Sequence, residues 1–312
     1  MTEPVPHWPG RMVSVGDHEV FVRSAPASSD AEPALCVHGL EGSSRNWTDL
    51  MDLLRARLAC DALDLPGFGD SPPRPDGRYS IAALAQTVIA LIEQRQTPVH
   101  LIGNSLGGAV CVKVAATRPD LVKTLTLISP ALPDLRPRLD LVRFPVVGLP
   151  RLGPRLIRQY QTALPPERRV AAVIATCYSN PGLYPQARFA AEVAELSRRD
   201  SLEYAVAALM GSARALSAEF LRKGRHSPWR DAARVTAPTL VIHGSHDRLV
   251  SPSAAAKAAR SFRYGQAVVL PRVGHVAMME RPDLVARLMR EFLVTAEPGR
   301  PDTSRELNRV PN

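Results

Sequence analysis

The most constraining feature of this chain is a serine flanked by glycines between an apolar segment and a helical one. Residues 99–102 are compatible with a β-strand, the sequence GNSLG follows at 103–107, and a helical pattern begins directly afterwards. In such a strand–turn–helix context the serine occupies a strained backbone position, and its hydroxyl projects alone above a sheet. Gly103 and Gly107 are expected there because a Cβ at either place would collide with neighbouring backbone. The stretch predicts a nucleophilic Ser105; the alternative is a small-residue turn.

The order of the predicted elements indicates an α/β fold. Before the serine turn, the pattern predicts a β-hairpin and then strands and helices in turn, at residues 13–23, 34–37, 46–58, 59–63 and 79–95. Later strands and helices are predicted at residues 124–128, 239–243, 253–261, 267–270 and 282–294. Short apolar strands that alternate with helices are typical of a mostly parallel sheet with helices on both faces.

The alternation stops between residues 134 and 231, where prolines separate helical stretches. We expect this segment to be a helical cap, or lid, inserted over the sheet. Residues 11–133 and 232–295 then form the α/β core. Residues 1–10 and 296–312 are polar or rich in proline, and we expect them to be flexible tails.

The formal net charge of +9 raises the question of a nucleic-acid partner. The basic residues are mostly dispersed arginines, richest in the middle segment: Arg136, Arg138, Arg143, Arg151, Arg155 and Arg158. A nucleic-acid surface concentrates its charge on one face, with interleaved aromatics or a known motif. The sequence has neither, so we expect no nucleic-acid partner. We attribute the many arginines to a general compositional preference of the genome. Binding to an acidic lipid surface or to an anionic substrate stays open.

Targeting and cysteine patterns favour a cytoplasmic protein. No apolar run reaches the roughly 18–20 residues of a membrane span, and the N-terminus lacks the basic and apolar regions of a signal peptide. The four cysteines are scattered through apolar segments without metal-ligand spacing. We therefore expect them to be reduced, mostly buried thiols. His243 and His246 have no ligand partner at metal spacing, so we predict no metal and no cofactor.

Two loops after late strands can supply the base and the acid that a serine nucleophile needs. Asp247 follows the strand at 239–243, and His275 follows the strand at 267–270. The carboxyl ends of parallel strands meet at one edge of the sheet, where ligands bind. A histidine oriented by a buried carboxylate can take the serine proton. We therefore predict Ser105, Asp247 and His275 as a catalytic triad, in a chain order known for such triads.

With these residues in place, the chain resembles the α/β-hydrolase superfamily, on its esterase- and lipase-like branch with a serine nucleophile and a helical cap. The resemblance covers residues 12–133 and 232–295. It rests on four blocks: His38-Gly39, DLPGFG at 64–69, GNSLGG at 103–108, and the loops with Asp247 and Gly274-His275. It implies a mostly parallel eight-stranded sheet flanked by helices, with the cap inserted.

The same resemblance implies an oxyanion hole formed by the backbone N–H groups of Leu40 and Leu106. Such donors stabilise the negative charge that develops on the substrate carbonyl oxygen. His38 and Gly39 are expected to organise this loop, with a second-base role for His38 as the alternative. Glu41 departs from the family, in which a small residue is common at this point. It either faces solvent or repels anionic substrates at the mouth.

Other polar and aromatic residues receive a structural interpretation. Asp64 and Asp70 flank a tight turn, and Trp47 has the spacing of a core residue. Asp134 follows a strand where some relatives carry an alternative acid, but Asp247 has the better surroundings. The aromatic residues available to the cap are Phe144, Tyr160, Tyr178, Tyr184, Phe189 and Trp229.

The nucleophile narrows the reaction class. A serine argues against haloalkane dehalogenases and epoxide hydrolases, which use a carboxylate. We expect a carboxylic-ester hydrolase for small to medium, apolar, uncharged substrates, acting through an acyl-enzyme. The alternatives are a thioesterase or perhydrolase, a non-catalytic ligand-binding module, and a carbon–carbon hydrolase of the meta-cleavage type. The last group resembles this chain in its elbow but usually has tryptophan after the catalytic histidine, where this chain has Val276.

Overall fold

An eight-stranded sheet organises the computed structural model, which describes residues 5–133, 149, 152–222, 224 and 227–296. The strands in chain order are β1 (Gly10–Val15), β2 (His18–Ser24), β3 (Glu32–Val37), β4 (Leu58–Leu63), β5 (Val99–Asn104), β6 (Val122–Ile128), β7 (Thr239–Gly244) and β8 (Gly265–Leu270). Their order across the sheet is β1-β2-β4-β3-β5-β6-β7-β8. Strand β2 is antiparallel to β1 and β4, and every other neighbouring pair is parallel. The α/β fold class and the mostly parallel sheet are confirmed.

Helices cover both faces of this sheet. In chain order they are α1 (Thr48–Leu54), α2 (Ile81–Glu93), α3 (Leu106–Thr117), α4 (Leu152–Ala163), α5 (Pro166–Cys177), α6 (Gln186–Asp200), α7 (Ala205–Leu221), α8 (Pro228–Arg234), α9 (Ala254–Ser261), α10 (Ala277–Glu280) and α11 (Pro282–Thr295). One core cluster joins the sheet to α2, α3, α8 and α9, and the other joins it to α1, α10 and α11. Strands β5 and β7 are buried at every residue, as central strands of a two-faced parallel sheet are. Trp47 is fully buried in the second cluster, as expected.

The described part of the chain between β6 and β7 forms helices α4 to α8 and contains no strand. Helix α8 packs on α3, whereas α6 is tied to α1 by Arg188, whose guanidinium donates to both carboxylate oxygens of Asp49 at 2.5 and 2.7 Å. Asp134, Phe144 and the first cap residues lie outside the described residues. The exact boundaries of the cap stay a prediction.

The N-terminal segment differs from the expected flexible tail. Arg188 also donates to the Val5 carbonyl at 2.6 Å. His7 Nδ1 and Thr48 Oγ1 are hydrogen-bonded at 2.8 Å, and the Trp8 indole donates to the Thr48 carbonyl at 3.2 Å. These contacts hold residues 5–9 against α1 and the cap, and residue 10 already belongs to β1. Residues 1–4 and the C-terminal residues 297–312 lie outside the described part.

The helices and the cysteines of the described residues bear on the expected membrane and thiol properties. None of the helices found there is both long and apolar enough to cross a membrane. All four cysteines are free thiols, and Cys36, Cys60 and Cys111 are buried. The cytoplasmic location and the absence of a nucleic-acid partner stay predictions.

The close approach of α3 to β3 gives a prediction for Gly107. A Cβ at this position would overlap the Val37 carbonyl oxygen and lie 2.5 Å from that of His38. Because both atoms are backbone, Gly107→Ala should lower the free energy of unfolding by about 3 kcal/mol or more. Urea denaturation measures this change.

Gly182→Ala is the matched control, since its Cβ would meet only the Asn180 side-chain oxygen, at 3.2 Å. We expect this variant to lose less than about 1 kcal/mol. Equal stability of the Gly107→Ala protein and the wild type would contradict the packing described for the β3–α3 contact.

Candidate active site

Ser105 lies at the junction of β5 and α3 in a left-handed backbone conformation, with φ 51° and ψ −115°. Its N–H donates to the Ile128 carbonyl at 3.1 Å, and its own carbonyl accepts from Ala109 and Ala131 at 3.1 and 2.9 Å. Gly103 leaves room for this turn, because a Cβ there would be 2.6 Å from the Gly107 carbonyl oxygen. The serine is therefore held in a conformation that few non-glycine residues adopt.

Asp247 and His275 are hydrogen-bonded to each other in the loops after β7 and β8. The distance from His275 Nδ1 to Asp247 Oδ2 is 2.9 Å, and the other carboxylate oxygen accepts from the N–H groups of Leu249 and Val250 at 2.8 and 2.9 Å. Burial raises the pKa of Asp247, but the His275 charge and hydrogen bonds to the carboxylate outweigh it and lower the pKa from 3.8 to about 2. The ionised acid therefore accepts the proton on Nδ1, which leaves Nε2 of a neutral His275 as an acceptor.

The serine turn and the histidine loop are connected through Asn104. Its side-chain amide donates to the Ile128 carbonyl at 3.0 Å and to the His275 carbonyl at 3.3 Å. Ser105 and His275 line the same cavity. The structure thus brings Ser105, Asp247 and His275 together at the carboxyl edge of the sheet.

Glu280 is a buried acid that the sequence interpretation missed. Its carboxylate accepts from the Gly274 N–H at 2.7 Å and from the Ser179 and Asn180 N–H groups at 3.1 and 2.9 Å. The His275 N–H donates to the Cys177 carbonyl at 2.7 Å. These contacts attach the histidine loop to the cap segment that follows α5. No local motif marks Glu280, because its partners lie in two other segments of the chain.

The loop after β3 lies directly against Ser105. A Cβ at Gly39 would be 3.1 Å from the Ser105 Cβ, and Leu40 lines the cavity next to it. Leu106 is the first residue of α3, where helix N–H groups lack intrahelical partners. Within the described ranges, neither the Leu40 nor the Leu106 amide donates a hydrogen bond to another residue. Both amides are therefore available to an anionic oxygen beside Ser105.

His38 is enclosed beneath this loop. Its Nδ1 donates to the Gly39 carbonyl at 2.7 Å, and its Nε2 accepts from the Leu65 N–H at 2.9 Å. Burial lowers the pKa of His38 to about 4. The ring is therefore neutral near pH 7 and both nitrogens are occupied, which supports an organising role and argues against a second base.

Asp64 and Asp70, which flank the turn after β4, both have contacts that stabilise the fold. Asp64 is buried and accepts from the N–H groups of Ser44 and Asp70 at 2.5 and 2.8 Å. Asp70 forms an ion pair with Arg23 at 3.2 Å. Among the described residues, no group of three or more His, Cys, Asp and Glu side chains could hold a metal ion. The absence of a metal and of a cofactor stays a prediction.

The cavity above Ser105 has a volume of about 780 Å³, within the usual range for small-molecule sites. Helices α5 and α7 contribute aliphatic and aromatic residues to its lining: Val170, Val173, Ile174, Leu216, Phe220 and Leu221. Of the aromatic residues expected in the cap, Tyr160, Tyr178 and Tyr184 line it. Phe189 and Trp229 instead pack against the core clusters.

Charged residues from the β3–α1 loop and from α6 also line the cavity: Glu41, Arg45, Glu192, Glu195 and Arg199. Glu195 pairs with Arg45 at 3.5 Å and with Arg198 at 2.7 Å, and burial raises the pKa of Glu192. Glu41 is exposed in this lining with φ 60°, which explains why a small residue is usual there. The cavity is therefore lined by both apolar and charged side chains.

A model of the α/β hydrolase family matches residues 34–288, and the chain belongs to this family. Monoacylglycerol lipase abhd6-A of Xenopus laevis is 25% identical over 292 residues, which cover 90% of this chain and 80% of that protein. Pyrrolizixenacetamide deacetylase of Xenorhabdus hominickii is 28% identical over 288 residues, or 91% of this chain and 98% of that protein.

The structure of 2-hydroxy-6-oxo-6-phenylhexa-2,4-dienoate hydrolase from Rhodococcus sp. strain RHA1 has a similar fold. Its TM-score is 0.75 at 20% identity, and the match covers 92% of this chain and 98% of that chain. The family and these relatives support a hydrolase.

The Asp247–His275 contact gives a prediction for acid stability. The folded-state pKa of about 2 lies below the ordinary 3.8, so ionised Asp247 contributes stability above pH 4 that is lost as the pH falls toward 2. The free energy of unfolding of the wild type minus that of Asp247→Asn should shrink by about 1 kcal/mol between pH 5 and pH 3. Urea denaturation at each pH measures it, and a constant difference would contradict the lowered pKa.

Proposed function

We propose that this chain is a carboxylic-ester hydrolase that acts through an acyl-enzyme on Ser105. The observation that carries this proposal is the arrangement around one cavity. Ser105 has the left-handed elbow conformation, and His275 lines the same cavity. The Nδ1 of His275 is bonded to buried, ionised Asp247. A serine hydroxyl becomes nucleophilic when such an oriented histidine takes its proton.

The proposed reaction has two halves. Ser105 Oγ attacks the ester carbonyl carbon while His275 Nε2 takes the hydroxyl proton, and the Leu40 and Leu106 amides receive the carbonyl oxygen as it becomes negative. His275 then gives the proton to the leaving alcohol, and the acyl group stays on Ser105. Water, deprotonated by His275 Nε2, attacks the acyl carbon of the acyl-enzyme. The bond from this carbon to Ser105 Oγ breaks, His275 returns the proton to Oγ, and the acid is released. Asp247 remains ionised and balances the charge of the imidazolium.

The cavity walls support small to medium, neutral acyl substrates. The lining residues of α5 and α7 offer apolar contact to an acyl chain, and the β3–α1 loop and α6 offer polar groups to the substrate. The names of the two relatives, a monoacylglycerol lipase and a deacetylase, both describe removal of an acyl group. Thioesters fit the same chemistry and belong in a substrate panel.

Carbon–carbon hydrolysis is the second candidate, favoured by the shared fold with the dienoate hydrolase and by the similar elbow sequence. A panel of p-nitrophenyl esters against a vinylogous 1,5-diketone dienoate separates the two reactions. We expect turnover of the esters. Turnover of the dienoate alone would replace the ester proposal with carbon–carbon hydrolysis.

Two serines of the cavity allow a matched test of the nucleophile. Ser217 also lines the cavity, but its hydroxyl donates to the Ala213 carbonyl at 3.0 Å. Ser105→Ala should lower kcat on p-nitrophenyl butyrate by roughly 10⁴-fold or more and abolish labelling by a fluorophosphonate. Ser217→Ala should keep its labelling and should stay within about threefold of wild-type kcat.

Stoichiometric labelling of the wild type also separates an enzyme from a ligand-binding module of the same fold. If folded wild type were not labelled, the hydrolase proposal would fail. Near-wild-type turnover by the Ser105→Ala protein would require another nucleophile.

The two hydrogen bonds of His38 give a prediction for the oxyanion loop. Asparagine can replace the Nδ1 donor to Gly39, and glutamine can replace the Nε2 acceptor for Leu65. If His38 positions the Leu40 amide, His38→Asn and His38→Gln should each lose roughly 10- to 100-fold in kcat/KM, and His38→Gln should lose more. The acidic midpoint of the pH–rate profile should stay that of the wild type. A shifted or missing acidic limb would instead make His38 a proton-transfer group.

A further inference from the structure

Helix α4 of the cap carries a row of exposed large apolar residues. Leu152, Leu156 and Tyr160 are 44%, 36% and 46% exposed, and Leu149 just before the helix is 47% exposed. Spacings of four residues place Leu152, Leu156 and Tyr160 on one side of the helix. We call this row the outer face of α4. Monomeric soluble proteins rarely leave such a contiguous apolar row uncovered.

All charged residues of α4 are positive. Its twelve residues include Arg155 and Arg158 and no acid. Both arginines are exposed, and in the described part of the chain neither forms an ion pair. An apolar row beside unpaired arginines is the pattern of a helix that lies in a lipid–water interface. The chain as a whole has the same sign, with a net charge of +9.

The outer face of α4 adjoins the opening of the active-site cavity. Tyr160 belongs to this face and also lines the cavity. Two further cavity residues, Val173 of α5 and Leu221 of α7, are 51% and 76% exposed. A residue that lines a cavity and is also this exposed lies at its rim. The apolar surface thus runs from α4 to the rim.

Polar contacts hold α4 in this position. Gln161 donates to the Asp200 carboxylate at 2.9 Å, and Arg169 of α5 pairs with the same carboxylate. Helix α4 also packs against α7. These contacts lie on the side of the helix that carries Gln161 and leave both the apolar row and the two arginines exposed.

We propose that the outer face of α4, with Val173 and Leu221, is a docking surface for an anionic lipid bilayer. The apolar side chains would enter the headgroup region, and Arg155 and Arg158 would contact the negative headgroups. Docking in this way places the cavity rim against the membrane. Lipid binding rests on these surface residues alone and does not depend on the proposed hydrolysis.

Vesicle cosedimentation tests the proposal with the full chain. Wild type should bind vesicles of phosphatidylcholine mixed with phosphatidylglycerol, bind pure phosphatidylcholine more weakly, and lose binding as salt is raised. The double variant Leu152→Ser/Leu156→Ser should bind the mixed vesicles at least roughly tenfold more weakly. Arg155→Gln/Arg158→Gln should lose the preference for the anionic lipid.

The matched control changes two exposed apolar residues elsewhere, Leu53 of α1 and Val269 of β8, which are 40% and 44% exposed. Leu53→Ser/Val269→Ser should bind vesicles as the wild type does. Thermal unfolding followed by circular dichroism verifies that each variant is folded, and turnover of soluble p-nitrophenyl butyrate shows separately whether the site is active.

Three results would overturn the proposal. The first is that the wild type does not bind the mixed vesicles. The second is that the Leu152→Ser/Leu156→Ser protein binds them as well as the control does. In the third, sedimentation velocity would show a wild-type dimer that this variant converts to a monomer. The outer face of α4 would then be an interface between two copies of the chain.

Discussion

The left-handed backbone at Ser105 is the constraint on which the rest of the site depends. It lets β5 turn into α3 within a single residue, and it requires glycine where α3 passes against the end of β3. Because β3 ends at that contact, the loop with Gly39 and Leu40 begins beside Ser105. The same turn exposes the Leu106 amide at the start of α3. One local geometry therefore places the proposed nucleophile and both proposed oxyanion donors next to one another.

Two buried histidines show how the surroundings of a side chain decide its chemistry. His275 faces a carboxylate that stays ionised, so its Nδ1 proton is fixed and its Nε2 is left to accept. His38 faces a carbonyl and an amide, and burial keeps it neutral. Of these two rings, His38 has both nitrogens in hydrogen bonds, whereas His275 has Nε2 left to accept a proton.

The parts of the site that depend on local patterns could be predicted from the sequence. The serine turn, the parallel sheet and the loops with Asp247 and His275 each have a signal within a few residues. Glu280 and the docked residues 5–9 have none, because the cap partner of Glu280, Asn180, is 100 residues away and the partners of Val5 and His7 are 183 and 41 residues away. Side-chain exposure on α4 also depends on how the cap packs, which helical spacing alone does not specify.

Trapping the acyl-enzyme tests the central claim most directly. Trypsin cleaves after Arg95 and Lys113, and Ser105 is the only serine in the resulting peptide, residues 96–113. The wild type is mixed with p-nitrophenyl butyrate, quenched in acid during the first turnover, digested, and measured by mass spectrometry. We predict a butyryl group on Ser105 of this peptide. A burst of p-nitrophenol without butyryl on that peptide would contradict the proposed mechanism.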